Sequence, residues 1–314
     1  RQDDRRMTSS LEAPAPLVVP PAAPIVHDWA GPLMVFGGGV CIGFAPIGLR
    51  LGLDDLGPQA IAFWRYLFAA PVLLALVVLI ERRAPRPPNR FVLMAGTFFA
   101  LDMALWHWGL TLTTVSNATF IVNLGNISVG FMAWLFLKER PTNKWFVAIV
   151  LAVLGAAALS LGGEVGGKGD IRGDLLALAA ALLVSGYMLC SKLARRTLGG
   201  LETIFWLTLV EICIAGLIVA VSGEAFLPAD LDGFRAPLFL ALLVQVMGQG
   251  LIITGLGRTP AAIAGVVVIV QPVVAAAISW SLFDEPLTAL QAGGAGAILA
   301  GVWLAQRGKP VPID

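Results

Sequence analysis

The sequence predicts an all-α integral membrane protein of ten transmembrane helices, built as two inverted five-helix repeats. Three observations lead there. Of 314 residues, 58% are hydrophobic and only 13% charged, with a mean hydropathy of +0.84. The apolar residues gather into runs of membrane-spanning length, and the second half of the chain repeats landmarks of the first.

Composition settles the class. A soluble domain carries roughly 25% charged residues, and half that number cannot cover a water-facing surface. The 35 glycines and 20 prolines lie largely within apolar runs, which membrane helices tolerate because small residues let helices approach closely. Cys41, Cys190 and Cys213 sit singly in apolar segments. With only two histidines and no C-x-x-C spacing, no metal site is expected. A net charge of +1 offers no field for nucleic acid.

The spans follow from the thickness of the bilayer, whose ~30 Å core needs about 20 apolar residues of helix. That ruler places crossings near 31–50, 59–80, 91–111, 116–136 and 145–162. Five more fall near 173–191, 202–222, 236–256, 262–282 and 289–306. Residues 1–28, rich in Pro, Ala and charge, read as a disordered cytoplasmic tail, and 308–314 as a second one. With ten crossings, most of the 21 basic residues share one side, including the Arg82, Arg83, Arg86 and Arg90 cluster. Arg50, Lys168, Arg172 and Arg235 fall on the other. Basic loops stay in the cytoplasm, so both termini are expected there.

The repeat is legible residue by residue. Phe63-Trp64 recurs as Phe205-Trp206, and Gly43-Phe44 is answered by Gly186-Tyr187. At a constant offset of 146, Gly109 pairs with Gly255, Glu139 with Glu285, Thr142 with Thr288 and Gly155 with Gly301. The halves are then 29–168 and 169–307. Five crossings apiece force the second half to enter from the opposite face, the arrangement of many secondary transporters. Gly293, Gly294, Gly296 and Gly301 read as close helix contacts, or as a face for a weak homodimer of an otherwise monomeric chain.

Polar groups at membrane depth are costly unless protein or water shelters them. Asp102, Trp106 and His107 share the third span, Asn123 and Asn126 the fourth, Gln245 and Gln249 the eighth, and Gln271 with Pro272 the ninth. These four spans are matched pairs of the two halves. Two readings stand for the amides: ordinary interhelical hydrogen bonds, or the lining of a hydrated cavity. In the second, Trp106, Asn123, Asn126, Tyr187, Gln245, Gln249, Gln271 and Phe44 would bind a substrate. Amides and aromatics suit a zwitterion with an apolar substituent. Arg65 would snorkel or pair with Asp102. Asp102, His107 and Glu211 could carry a proton, and a fixed polar contact is the competing role. Glu139 and Glu285 read as structural groups at helix ends. No nucleophile–base set points to an enzyme, and neither glycine-rich phosphate motif opens a soluble unit. No cofactor is expected; the partners are a small-molecule substrate and the bilayer.

On Phe63-Trp64-Arg65, Gly43, Gly186, and the Glu139–Gly155 stretch with its Glu285–Gly301 counterpart, residues 31–306 resemble the drug/metabolite transporter superfamily. The likeness is to its ten-helix EamA-type exporters, and nearest to bacterial aromatic amino acid exporters. It implies inverted modules that rock about a central cavity, in a bacterial cytoplasmic (inner) membrane. It also implies export of amino acids, aromatic or large apolar ones included, or, as the alternative, of assorted metabolites and drugs. Pro272 and Arg65 match family positions; Asn126 and Leu207, their repeat equivalents, depart from them.

The charge asymmetry makes the orientation testable. In a background without Cys41, Cys190 and Cys213, an impermeant thiol reagent should reach Arg86→Cys only from the cytoplasm and Lys168→Cys only from outside. Reversed labelling would invert the topology.

Overall fold

The computed structural model describes residues 29–112, 121–122, 125, 129–130, 132–136, 138–162, 170–283, 288–307 and 311–312. Over these the chain is helical: α1 (Ala30–Ile42), α2 (Ala45–Gly52), α3 (Pro58–Glu81), α4 (Arg90–Leu112), α5 (Asn143–Gly162), α6 (Ile171–Ala194) and α7 (Gly200–Ser222). After α8 (Arg235–Phe239) comes a π-helical stretch, Leu240–Gln249, which runs on into α9 (Gly250–Leu256). The chain continues as α10 (Ala261–Val267), α11 (Val270–Phe283) and α12 (Ala289–Arg307). Glu139–Arg140 and Val311–Pro312 make one two-residue antiparallel pairing. Among the described residues, six helices are long and apolar enough to cross a membrane, with α1–α2 and the run from Asp232 to Leu256 each counted as one. Shorter apolar helices cover Asn143–Ala158, Ala261–Ala275 and Ala289–Ala305. The fourth span expected from the sequence falls mostly outside the described residues.

Helix ends are secured across the chain. Pro58 opens α3 behind Gly57, and the Glu224 carboxylate, beyond the end of α7, accepts from the Gln59 and Ala60 amides at 2.9 Å each. A carboxylate there answers the exposed amides and the positive end of the helix dipole, worth about 0.3–2 kcal/mol. Gly57 has no room for a side chain, since a Cβ would lie 2.3 Å from that carboxylate. At the start of α7 the capping carboxylate comes from the helix's own first turn. Glu202 accepts from the Gly199 amide at 2.8 Å, and a Cβ on Gly199 would lie 2.4 Å from Glu81, at the end of α3. Glu202 also takes the Arg86 amide at 3.0 Å and its guanidinium at 2.7–3.2 Å, with Arg83 at 3.0 Å. The two tryptophans of the Phe-Trp pairs do matching work: Trp64 donates to the Phe226 carbonyl, and Trp206 to the Arg86 carbonyl.

The strongest packings among the described helices join the two halves. α5 lies on α12, α4 on α6, α3 on α7, and α1 on α9. Close approach at these seams depends on glycine. A Cβ on Gly155 would lie 2.5 Å from the Gly294 carbonyl, and one on Gly301 2.7 Å from that of Ala148. Gly255 stands equally close to the Gly31 carbonyl, at 2.7 Å, and Gly109 faces that of Gly173 at 3.2 Å. Gly293 and Gly296 were expected at such contacts too. The structure turns them outward with nothing within 4 Å among the described residues, because the helical period puts only Gly294 and Gly301 on the buried stripe. The Thr288–Gln291 capping box forms, at 2.9 and 3.2 Å.

Gly155→Val should therefore wedge α5 from α12, cost about 1–3 kcal/mol as overpacking does, and lower the melting temperature in detergent. Gly293→Ala should leave it unchanged or slightly raised; an equal loss for both would refute this seam.

Candidate functional site

Three irregular stretches of backbone meet at the middle of the described bundle. α1 stops at Ile42 and α2 starts at Ala45, with Pro46 in its first turn. Proline has no N–H to return to the carbonyl four residues back, so the helix cannot run through. The chain repeats this at Pro272: α10 ends at Val267, α11 begins at Val270, and the Gln271 amide takes the Val268 carbonyl at 3.1 Å. The two breaks touch. A Cβ on Gly43 would lie 2.6 Å from Val274 and 3.0 Å from the Gln271 carbonyl, so only glycine fits. The third stretch is the π-helical one, a form that recurs at functional sites. Irregular backbone at membrane depth is tolerated where protein or a cavity shelters it.

A cavity of about 190 Å³ opens at this junction, larger than the ~150 Å³ void that accepts a benzene molecule. Ile42 and Pro46 form one side, with Gln271 and Pro272 beside them. α4 contributes Asp102, Trp106 and His107 to the opposite wall, and α6 contributes Tyr187 and Met188. Arg65 enters from α3 and Gln249 from the π-helical stretch. Tyr187 donates to the Gln249 side-chain oxygen at 2.6 Å, and its ring lies 4.8 Å from that of Phe99. Most remaining lining atoms are aliphatic.

A guanidinium and a carboxyl group line this space. Arg65 is 7% exposed, and its Nε and Nη2 donate to the Gln245 oxygen at 3.1 and 2.7 Å. The Gln245 amide nitrogen in turn donates to Glu211 at 2.7 Å and Thr208 at 2.9 Å. A single chain of hydrogen bonds thus runs from α3 through the π-helical stretch to α7. Asp102 is fully buried, and neither of its carboxylate oxygens has a hydrogen-bond partner among the described residues. His107 Nδ1 and one Glu211 oxygen share that condition.

The structure thus gathers Trp106, Tyr187, Gln249, Gln271, Asp102 and His107 around one space and redistributes the others. Arg65 bonds Gln245 rather than Asp102. Gln245 and Glu211 stand behind Arg65, outside the lining. Four residues apart in the π-helical stretch, Gln245 and Gln249 nevertheless meet different partners, Gln245 taking Arg65, Thr208 and Glu211 and Gln249 taking Tyr187. Phe44 is also off the wall, while its neighbours Gly43 and Ala45 reach it. Asn123, Asn126 and Glu285 lie outside the described residues, as does the Glu139 side chain. Thr208 was missed: nothing in its apolar run distinguishes a hydroxyl that anchors a glutamine from one that bonds its own helix.

The sequence model of the EamA-like transporter family matches residues 29–161 and again 171–306. The chain belongs to that family. It is a membrane transporter, not an enzyme. This EamA-like transporter is 26% identical over 259 residues to "Uncharacterized transporter YetK" of Bacillus subtilis, covering 79% of this chain and 78% of that one. It is 24% identical over 275 residues to a "Probable amino-acid metabolite efflux pump" of Escherichia coli, covering 82% and 88%. A "Probable terminal-alkyne amino-acid exporter" of Streptantibioticus cattleyicolor is 25% identical over 274 residues, covering 82% and 87%. A solved crystal structure shares the fold with a TM-score of 0.76 at 16% identity, over 88% of this chain and 96% of its own.

Gln245→Leu would strand a buried guanidinium and a buried carboxylate, a change that costs about 3–5 kcal/mol in comparable cases. Gln249→Leu removes one neutral partner, about 1–3 kcal/mol. Thermal unfolding in detergent should show the larger drop for Gln245→Leu, and equal drops would mean the buried chain adds no stability.

Proposed function

We propose that this EamA-like transporter exports amino acids, aromatic or large apolar ones among them, across the cytoplasmic membrane of a bacterium by alternating access. The cavity carries the reading: an apolar and aromatic space of small-metabolite size, with a few inward polar groups at its walls. Such a space fixes a ligand's orientation with few hydrogen bonds and accepts an apolar side chain elsewhere. Two relatives named for amino-acid efflux or export support it.

The proposed topology has ten crossings, two inverted halves at 29–168 and 169–307, and both termini in the cytoplasm. The family model's double match supports the two halves. So do the repeated contacts. Gly255 against the Gly31 carbonyl answers Gly109 against that of Gly173, and Trp64 to Phe226 answers Trp206 to Arg86. In one respect the packing modifies the mechanism expected from sequence. Helices of the two halves interlock along α5–α12, α4–α6 and α1–α9, so halves rocking as separate bodies would tear these seams. The moving walls are instead mixed, one built on α1 and α9 and the other on α4 and α6, with the cavity between them.

A second reading, broad export of small metabolites or drugs, draws on Asp102, since an unpaired carboxylate in a cavity attracts organic cations. Proteoliposomes separate the two. Loaded with an amino acid panel, they should release apolar amino acids, and Gln249→Leu should slow release at least about tenfold, the loss of ~1.4 kcal/mol. Competition by unrelated organic cations, with no amino acid flux, would favour the second reading. A pH gradient imposed on the same vesicles tests whether Asp102, His107 or Glu211 couples a proton to transport.

A further inference from the structure

The cavity is lined by a guanidinium and a carboxyl group that form no ion pair with each other among the described residues. Arg65 spends Nε and one Nη2 hydrogen on Gln245. A guanidinium has five N–H donors, so three remain, and no other hydrogen bond or ion pair to it is formed among the described residues. Asp102 offers two buried carboxylate oxygens without a partner, on the α4 wall of the same space. Leaving both unmet in a low-dielectric interior is costly, unless a ligand meets them.

The way Arg65 is held explains why its remaining donors stay available. Glu211 is the nearest carboxylate in the chain of hydrogen bonds, yet it does not touch Arg65. Gln245 stands between, its oxygen toward the cation and its nitrogen toward Glu211. A direct Arg–carboxylate pair would be bidentate and would consume the face of the fork. The amide spacer lets Glu211 support the positive charge at one remove while the guanidinium keeps donors for an incoming anion. Arg65 can only donate, so it fixes the Gln245 oxygen toward itself and leaves the amide nitrogen for Glu211 and Thr208.

We infer that the cavity carries a two-ended site for an α-amino carboxylate, in which Arg65 takes the substrate carboxylate and Asp102 its ammonium, with Gln245 as the residue that positions Arg65. The apolar walls toward Trp106, Phe99 and Met103 then face the substrate side chain. A zwitterion brings two charges that cancel in the site, so the pair is matched only when both ends are present. A monocarboxylate or a monoamine leaves one buried charge unmet. The site rests on the export reading for its substrate class, and extends it to which groups of that substrate are required.

The test is equilibrium binding of phenylalanine and leucine to the purified full-length protein in detergent. Each is compared with its analogue lacking the carboxylate (phenethylamine, isoamylamine) and its analogue lacking the ammonium (3-phenylpropionate, 4-methylpentanoate). Both analogues should bind at least about tenfold more weakly than the parent, given that an unmet buried charge costs more than one neutral hydrogen bond. The variants should divide the effect. Arg65→Lys should weaken the amino acid and the carboxylate analogue while sparing the amine, and Asp102→Asn should do the reverse. Gln245→Glu, which places a carboxylate directly on Arg65, should mimic Arg65→Lys.

Analogues that bind as well as the amino acid would overturn the two-ended site, and so would variants that weaken both analogues alike. Either result leaves amino acid export standing. The wild-type comparison decides the matter even if a variant fails to fold. Two-ended binding without flux in vesicles would sink export and leave the site intact, and no amino acid binding at all would remove both.

Discussion

A guanidinium buried among apolar helices has to be answered by protein, and the answer given to Arg65 organises the middle of this transporter. Gln245 accepts from it, Glu211 and Thr208 hold Gln245, and three separate elements are thereby tied at one depth. Lipid offers no competing hydrogen bonds, so such a chain is worth keeping only if complete. Gln245 itself is fully met, while the cavity face of Arg65, Asp102 and one Glu211 oxygen are without partners among the described residues. Stability comes from the closed end and chemistry from the open one.

The rest of the bundle serves that contrast. Prolines at 46 and 272 interrupt two spans where they meet, and Gly43 lets the interruptions touch. Straight helices there would pack side chain to side chain and close the space. Away from the centre the devices are ordinary ones of membrane packing: glycine seams, and carboxylates that cap helix starts. The start of α3 is capped across the chain by Glu224, and that of α7 from within the helix by Glu202. Glu202 adds a further duty by binding Arg83 and Arg86, so the basic loop after α3 is held to α7.

Much of this was legible in the sequence. Apolar runs located the helices because a bilayer demands length and hydropathy together, and the described helices fall on those runs. Trp106, Tyr187, Gln249 and Gln271 stood out because polar and amphipathic groups are expensive in lipid, and each faces the cavity. The same reasoning overreached at Gln245. It recognised a costly amide and could not know whether a ligand or a protein group satisfies it, since the partners Arg65 and Glu211 lie 180 and 34 residues away in the chain. Gly293 and Gly296 show a similar limit: composition marks glycine for close contact, and only the neighbouring helix decides which of several glycines receives it.

What the sequence determined by itself is the class of the molecule, a helical membrane transporter, and the apolar runs on which its described helices fall. Both follow from local hydropathy, charge and self-similarity along the chain. Tertiary structure alone decided that α5 packs on α12 and α4 on α6, that Gln245 and Gln249 meet different partners, and that Arg65 is held by an amide instead of paired with Asp102. Those outcomes depend on helix rotation and on which distant side chains come within hydrogen-bond reach. No pattern along one strand of sequence encodes that distance.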